Sequence, residues 1–330
     1  MDNPEPFPTA VEPSPGPFSR RRRPARLLAA AAMALMAAWL GISFLVAYRL
    51  TARRHPVHPE PPPQVAWARF EGLRLKTTDG QQIGGWFAEG RADAPGVLFL
   101  HGNGGGRAHC LSRAKLLAED LGCATMLISM RAHGDSTGDF NDIGYSARHD
   151  VAAAVDFLER RRPGRPIVIL GVSLGSAAAA FAAGELGERV AGYVLESPFA
   201  DLKTAVRNRT RAYLPTPLDQ IAYPGLRAAG MAILPNLDAI APAAAVADVP
   251  ADVPVLILAG EADRRATPEE ARAVFDRVRS HARLVMFPGA RHKNLAEIDP
   301  PRYRRILVEF VSEAGRGAVV PLQDAAAAPQ

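Results

Sequence analysis

The stretch at residues 167–183 most constrains what this chain can fold into. It begins with the apolar run Ile-Val-Ile-Leu, typical of a buried strand, and passes through Gly171-Val-Ser173-Leu-Gly175 into an alanine-rich segment of high helix propensity. A serine at the apex of such a turn is lifted clear of the sheet, and the flanking glycines leave room for neighbouring backbone. The pattern predicts a nucleophile elbow at Ser173. Because G-x-S-x-G also arises by chance in ordinary strand-to-helix turns, the assignment depends on whether the sequence also supplies a base and an acid for the serine.

Short apolar strands alternate with helices on both sides of this stretch. The predicted strands span residues 96–100, 124–129, 192–195, 255–258 and 284–287, and the predicted helices span residues 108–121 and 147–160. This alternation predicts an α/β fold with a mostly parallel sheet covered by helices on both faces. Residues 199–252 are broken by prolines and do not read as another regular strand–helix unit. We predict a small helical cap there.

Two predicted loops carry residues that would activate a serine. A serine hydroxyl needs a base to accept its proton, and the base needs a carboxylate to fix its tautomer. Asp263 follows the strand at residues 255–258, and His292 follows the strand at residues 284–287. In an open parallel sheet both loops lie at the carboxyl ends of the strands, as Ser173 does. We therefore predict a triad of Ser173, Asp263 and His292.

Each partner also has a structural interpretation. Asp263 precedes a capping box at residues 267–270 and is compatible with a turn residue, and His292 is compatible with a surface histidine beside Arg291. Other candidates for the acid are Glu261, Glu196 and Asp201, and other candidates for the base are His101, His133 and His281. His281 precedes its strand, so we expect it at the opposite edge of the sheet. The order of Ser173, Asp263 and His292 after three strands favours the triad.

An oxyanion formed at the serine would need fixed hydrogen-bond donors. We predict that the backbone N–H groups of Leu174 and Asn103 form this oxyanion hole, because the glycine-rich loop at residues 101–106 directly follows a strand. A phosphate-binding role is the alternative for that loop. It lacks the Lys-Ser/Thr pair of a P-loop and the G-x-G-x-x-G spacing of a dinucleotide site, so we predict no cofactor.

The N-terminal part of the chain predicts a membrane anchor. Residues 1–26 are rich in proline and arginine and are predicted to be a disordered tail. Residues 27–48 form an uncharged segment of 22 residues, long enough to cross a hydrocarbon layer of about 30 Å as a helix. The proline-rich residues 49–66 predict a semi-extended linker. The folded domain is predicted at residues 67–315 and a second disordered tail at residues 316–330.

A cleaved signal peptide is the alternative to an anchor. Its apolar region usually has about 7–15 residues, which is shorter than the segment at residues 27–48. Five arginines precede this segment and three follow it closely. The positive-inside rule therefore predicts a cytoplasmic N-terminus and a folded domain on the periplasmic or extracellular side.

Composition excludes several other classes of protein. The formal net charge of +5 comes mostly from the first 60 residues, so the folded part is nearly neutral and gives no reason to expect a nucleic-acid partner. Two cysteines, Cys110 and Cys123, make neither a disulfide framework nor a metal site. We predict two buried thiols, with a single bridge as the alternative, and no metal.

Five motifs together resemble the α/β-hydrolase superfamily. They are Gly-Val-Ser-Leu-Gly at 171–175, His-Gly-Asn-Gly at 101–104, Arg-Ala-His-Gly-Asp-Ser at 131–136, Glu-Ser-Pro-Phe at 196–199 and Gly-Glu-Ala-Asp at 260–263. Within the superfamily they are most similar to the membrane-anchored, BEM46-like branch, often grouped with the S33 serine aminopeptidase-like set. The resemblance covers about residues 67–315 and implies the α/β-hydrolase fold with the same triad and oxyanion assignments. One departure is Ala132, where the family often has glycine, and no catalytic role is assigned to His133.

The leading hypothesis is a membrane-anchored serine hydrolase that cleaves an ester, thioester or amide through an acyl-enzyme, with peptides less favoured as substrates. Apolar residues in the cap, such as Phe199 and Leu202, and the anchor suggest a small-molecule acyl substrate derived from lipid, bound in an apolar pocket. The alternative hypothesis is a non-catalytic, membrane-tethered binding or scaffold protein that retains the fold.

Overall fold

The computed structural model describes residues 18–234, 236–292 and 295–316, with side chains from Ala25 onward. The tails predicted at residues 1–17 and 317–330 lie outside the described residues. Ten strands are present in this part of the chain: β1 Gln64–Val65, β2 Ala68–Arg69, β3 Glu71–Lys76, β4 Gln82–Ala88, β5 Gly96–Leu100, β6 Ala124–Ser129, β7 Ile167–Val172, β8 Gly192–Glu196, β9 Val255–Gly260 and β10 Ala282–Phe287. The α-helices are α1 Phe18–Thr51, α2 Leu111–Leu121, α3 Arg148–Arg161, α4 Leu174–Leu186, α5 Leu202–Tyr213, α6 Leu218–Ile233, α7 Pro242–Ala245, α8 Pro268–Arg277, α9 Leu295–Ile298 and α10 Pro300–Ala314.

The central sheet has eight strands in the order β3-β4-β6-β5-β7-β8-β9-β10. Six strands run parallel to one another: β5, β6, β7, β8, β9 and β10. Strand β4 pairs antiparallel with both β3 and β6. The predicted mostly parallel sheet is therefore confirmed. Since β7, β8 and β9 are neighbours, the loops at their carboxyl ends meet at one edge of the sheet.

Helices cover both faces of this sheet. On one face, Val155 of α3, Ala179 of α4 and Val274 of α8 are buried in one apolar cluster. On the other face, Leu117 of α2 and Phe310 of α10 are buried in a second cluster. Strands buried on both faces read as continuous apolar runs, which is why β5, β6 and β7 were predictable from the sequence.

The two cysteines are buried in this fold. Cys110 and Cys123 are both free thiols, as predicted, and no bridge joins them. Burial raises the pKa of each thiol to about 12. Both side chains are therefore inert packing groups under ordinary conditions.

Helix α1 is longer than the predicted anchor. It begins at Phe18 and ends at Thr51, so residues 18–26 are helical and not part of a disordered tail, and residues 49–51 belong to the helix and not to the linker. Arginine is a good helix former, so the basic run extends the helix instead of ending it. The part from Ala25 to Thr51 contains an 18-residue stretch with a mean hydropathy of 2.1, of which 6% is buried, so this helix is long and apolar enough to cross a membrane.

The predicted linker is bound to the domain over much of its length. Arg53 donates to the carbonyl oxygens of Gly134 and Gly138, and the Glu60 carboxylate accepts a 2.6 Å hydrogen bond from Ser129 and pairs with the buried Arg107. Strands β1 and β2 form a small antiparallel ladder just before the sheet. The predicted domain start at residue 67 is therefore too late. Proline content signalled an extended chain, but these two charged side chains fix its path.

Helices α5 and α6 form the cap and pack on each other. The predicted cap at residues 199–252 is too long at its C-terminal end, because α7 and the following 3₁₀ turn Val246–Asp248 return to the core. Val246 is fully buried in the same cluster as α4 and α8. Pro242, at the start of α7, therefore marks the point where the chain returns to the core.

Candidate active site

The elbow between β7 and α4 holds Ser173 in a strained backbone conformation. Ser173 has φ 53° and ψ −106°, a combination that L-residues adopt only when the surroundings enforce it. A Cβ at Gly171 would lie 2.3 Å from the carbonyl oxygen of Gly175, and one at Gly175 would lie 2.4 Å from that of Leu100. Both glycines are therefore required by close backbone contact, as the sequence predicted for a nucleophile elbow.

Three side chains form a hydrogen-bonded row at the carboxyl ends of β7, β9 and β10. His292 Nε2 lies 3.0 Å from Ser173 Oγ, and His292 Nδ1 lies 2.7 Å from Asp263 Oδ2. Since a carboxylate accepts hydrogen bonds, Nδ1 carries the proton and Nε2 is free to accept one from the serine. The structure thus brings together the serine, acid and histidine that the sequence singled out.

The acid of this row is held rigidly by backbone groups. Asp263 is 3% exposed, and its Oδ1 accepts hydrogen bonds from the N–H groups of Arg265, at 2.8 Å, and Ala266, at 3.1 Å. This leaves Oδ2 directed at His292. A fixed carboxylate orients the imidazole and stabilises its charged form during proton transfer.

The alternative acids have other partners. Glu196 is fully buried, pairs with Arg113 at 2.5 Å and accepts a 2.8 Å hydrogen bond from the Tyr303 hydroxyl. Asp201 caps the N-terminus of α5 through Thr204, and Glu261 is exposed. Among the alternative bases, His281 precedes β10 at the opposite edge, as expected.

The glycine-rich loop lies directly against the serine. A Cβ at Gly102 would lie 3.8 Å from Ser173 Cβ. The Gly105 N–H donates to the Gly102 carbonyl, which closes a turn with Asn103 and Gly104 at its centre, and Gly104 takes φ +70°. The Asn103 N–H is not used in closing this turn, and the Leu174 N–H lies in the first turn of α4, where a helix offers no acceptor.

Two buried histidines support this loop, a role that the sequence analysis missed. His133 Nε2 accepts a hydrogen bond from the Gly104 N–H at 3.2 Å, and His101 Nε2 accepts one from the Met130 N–H at 3.0 Å. Their rings meet edge to face, with 4.7 Å between centroids. Because each Nε2 accepts, both rings are neutral, and burial lowers the pKa of both, that of His101 well below its usual 6.5. The His-Gly-Asn-Gly and Arg-Ala-His-Gly motifs were visible, but their contact was not.

A large cavity opens above Ser173 and His292. Its volume is about 1010 Å³, and both residues line it together with the glycine-rich loop. Cap helices α5 and α6 form much of its wall, and so does one face of α1. Basic side chains outnumber acidic ones in this lining: Arg54, Arg113, Lys203, Arg209, Arg227 and Arg265 stand against Glu196 and Glu297. Ser173 therefore faces a cavity that is mostly apolar, with excess positive charge.

Comparison with known proteins agrees with this fold. Residues 95–233 match the family described as the alpha/beta hydrolase fold. The structure is similar to two crystal structures of esterase Pf2001 of Pyrococcus furiosus, with TM-scores of 0.61–0.62 and 19–20% sequence identity. The match covers 77–78% of this chain and 99% of the esterase. This chain therefore has the α/β-hydrolase fold.

Two curated proteins are similar in sequence to part of this chain. The chain is 25% identical over 178 residues to protein bem46 of Schizosaccharomyces pombe, and 31% identical over 129 residues to the lysophosphatidylserine lipase ABHD12 of Gallus gallus. These matches cover 51% and 37% of this chain, and 59% and 33% of the two relatives. The chain thus spans less than two thirds of either relative's length.

The close backbone contact at the elbow gives a first prediction. Gly175→Ala places a methyl group against the backbone of Leu100, so we expect a loss of about 3 kcal/mol in unfolding free energy. Gly96→Ala is the matched control, because its new Cβ would lie 3.6 Å from Leu158 Cδ2 at ordinary contact distance. Chemical denaturation in detergent measures both variants. Equal stability of the two would contradict the packing described for the elbow.

The neutral histidines give a second prediction, on pH. His101 stays neutral in the folded protein but titrates near 6.5 when unfolded, so the unfolded state binds more protons below that pH. The unfolding free energy should fall by up to about 1.4 kcal/mol per pH unit for this group as pH drops below about 6.5. In His101→Asn the slope should be shallower, although the protein is less stable at neutral pH. Denaturation curves at pH 7.5, 6.0 and 5.0 give the unfolding free energy of each protein. If it falls equally with pH in wild type and in His101→Asn, His101 does not contribute to the pH dependence.

Proposed function

We propose that this protein is a membrane-anchored serine hydrolase, which cleaves a carboxylic ester, thioester or amide through an acyl-enzyme on Ser173. The observation that carries the proposal is the position of His292, within hydrogen-bond distance of both Ser173 Oγ and Asp263 Oδ2. An imidazole so placed can take the serine proton while the carboxylate stabilises the resulting charge. The non-catalytic alternative has no observation in its favour.

The geometry supports a two-step reaction. His292 Nε2 takes the proton of Ser173, and Oγ attacks the acyl carbon to form a tetrahedral oxyanion, which accepts hydrogen bonds from the Asn103 and Leu174 N–H groups. His292 then donates the proton to the leaving group as its bond to the acyl carbon breaks. A water molecule, deprotonated by His292, attacks the acyl-enzyme, and the proton returns to Ser173 as the acid is released.

The cavity supports an acyl lipid as the substrate. Apolar side chains of the cap, including Phe199 and Leu202, line it together with α1. The names of relatives point the same way, because ABHD12 is a lysophosphatidylserine lipase and Pf2001 is an esterase. The apolar segment of α1 would anchor the protein in the membrane, and the arginine distribution supports a non-cytoplasmic position for the hydrolase domain.

Three arginines in the cavity support an anionic group on that substrate. Arg54 lies against Gly104 of the glycine-rich loop, since a Cβ there would be 2.5 Å from Arg54 Nη1. Arg265 follows Asp263, and Arg209 lies on α5. Burial and the charges of Arg265 and Arg54 lower the pKa of Arg209. No carboxylate of the described residues forms an ion pair with these three arginines, so a phosphate or carboxylate of the substrate would relieve their mutual repulsion.

Replacing the nucleophile tests the proposal directly. Ser173→Ala should reduce kcat for p-nitrophenyl esters by several orders of magnitude, since triad members act as a unit, and should abolish labelling by a fluorophosphonate probe. Ser176→Ala is a matched control in the first turn of α4, because the Ser176 hydroxyl donates to the carbonyl oxygens of Gly171 and Glu196 and, among the described residues, has no hydrogen bond with the triad. Labelling that persists in Ser173→Ala would show that another residue is the nucleophile.

The arginine group gives a separate prediction on substrate charge. Arg209→Gln should raise KM for a monoacylglycerol phosphate by about 10-fold or more, because a charge-assisted hydrogen bond contributes about 1.5–3 kcal/mol. The KM for the neutral monoacylglycerol with the same chain should change little. Arg211→Gln is the control, since Arg211 lies on the same helix but outside this cavity. Equal changes in KM for both lipids would argue against an anion site.

A further inference from the structure

Helix α1 forms part of the wall of the catalytic cavity. Its lining residues are Ile42, Ser43, Val46, Ala47, Leu50 and Thr51. They repeat at intervals of four and so form one face of the helix. From Leu50 to Ile42 this face runs for about 12 Å. Its Leu50 end lies beside the glycine-rich loop, because the Asn103 side chain donates a 3.2 Å hydrogen bond to the Leu50 carbonyl. An apolar track therefore leads from the reactive serine along the anchor.

The helix is fixed in position against the domain. Toward its middle, Trp39 Nε1 donates to the Ile221 carbonyl of α6 at 3.0 Å. Gly225 of α6 allows the close approach, since a Cβ there would lie 2.3 Å from Ser43 Oγ. At its C-terminal end, the Asn141 N–H donates to the Thr51 carbonyl at 2.7 Å. With contacts at both ends of the track, α1 has one defined face toward the cavity.

These contacts place α6 at the depth of the bilayer. Trp39 and Ser43 belong to the uncharged segment at residues 27–48, and Trp39 lies about 14 Å before its end at Tyr48. The outward face of α6 carries a stripe of exposed apolar residues: Leu218, Ile221, Pro224, Ala228 and Met231. Leu218, Ile221 and Met231 are each more than half exposed. Such a stripe is unfavourable in water and favourable against lipid tails.

The cavity is open at this same depth. Ile42 and Val46 line it and are nevertheless 64% and 41% exposed, so its apolar end is accessible from outside the protein. On the other side of the opening, Ala222 and Leu226 of α6 line the cavity. A lipid whose tail lies in the bilayer can thus reach the track between α1 and α6 without passing its acyl chain through water, which avoids the cost of hydrating that chain.

We infer that α1 is a substrate-binding element as well as an anchor: the acyl chain of a membrane lipid enters from the bilayer between α1 and α6 and binds along Ile42, Val46 and Ala47. This inference rests on the proposed function and adds the route and the residues that select chain length. The chain's carbonyl end lies at Ser173 and its methyl end toward Ile42. Long acyl chains gain contact with α1, whereas an acetyl group does not reach it.

A bulky residue on the inner face of α1 tests the binding track. Ala47→Trp should reduce the ratio of kcat/KM for palmitoyl ester to that for acetyl ester by about 10-fold or more, because it fills the track. Leu45→Trp is the control, since Leu45 has the same depth but does not line the cavity; its ratio should match wild type. Val46→Phe provides a second obstruction should Ala47→Trp not fold. An unchanged ratio in the folded inner-face variants would overturn the inference.

The membrane position of α6 is tested by thiol labelling in nanodiscs. The native cysteines are buried, so a new surface cysteine reports its own surroundings. Ile221→Cys should resist a membrane-impermeant maleimide, because Trp39 holds Ile221 at the depth of the uncharged segment, whereas Glu188→Cys, on the exposed turn after α4, should react fully. Equal reaction of the two would place the outer face of α6 in water and overturn the proposed route.

The proposed function can fail separately from this inference. If wild-type protein neither hydrolyses acetyl esters nor reacts with a fluorophosphonate at Ser173, the hydrolase proposal itself fails. If both occur but Ala47→Trp and Val46→Phe leave chain-length preference unchanged, only the role of α1 fails.

Discussion

The hydrogen-bonded row from Asp263 through His292 to Ser173 depends on one constraint, the close approach of three loops at the carboxyl ends of β7, β9 and β10. Parallel pairing brings these ends to one edge, and the neighbouring order of β7, β8, β9 and β10 keeps the loops within reach of each other. The elbow then raises Ser173 above the sheet. This requires backbone contacts at Gly171 and Gly175 that no residue with a Cβ could make. The strain at Ser173 persists because β7 and α4 are both buried on their inner sides.

The same site is supported by polar groups that are not part of the row. His101 and His133, both neutral and buried, accept hydrogen bonds from the Met130 and Gly104 N–H groups and so fix the glycine-rich loop that carries Asn103. Glu196, Arg113 and Tyr303 form a buried charged network beneath the cavity. Such groups are costly to bury unless they are paired, and their pairing fixes the loops around the serine.

Much of this architecture was predictable because its signals are local. The buried strands are continuous apolar runs, the elbow is a five-residue pattern, and Asp263 and His292 follow their strands directly. What the sequence did not indicate depends on contacts between distant segments. His133 meets Gly104 across two loops, Arg53 and Glu60 fix the proline-rich residues onto the domain, and Trp39 joins α1 to α6. Proline content predicted an extended linker, but could not show that charged side chains would bind it. The start of α1 was also missed, since arginine-rich sequence is compatible with both helix and coil.

Helix α1 would connect the membrane with the catalytic cavity. Its apolar segment is suited to a bilayer, and its C-terminal end contacts the glycine-rich loop beside the proposed nucleophile. Membrane attachment and acyl transfer would therefore meet in a single cavity. The covalent acyl-enzyme is central to the proposed mechanism, and mass spectrometry of protein quenched during turnover of a slowly hydrolysed ester tests it most directly. We predict an acyl adduct on the peptide that contains Ser173. Turnover without any adduct, or an adduct on a different residue, would contradict it.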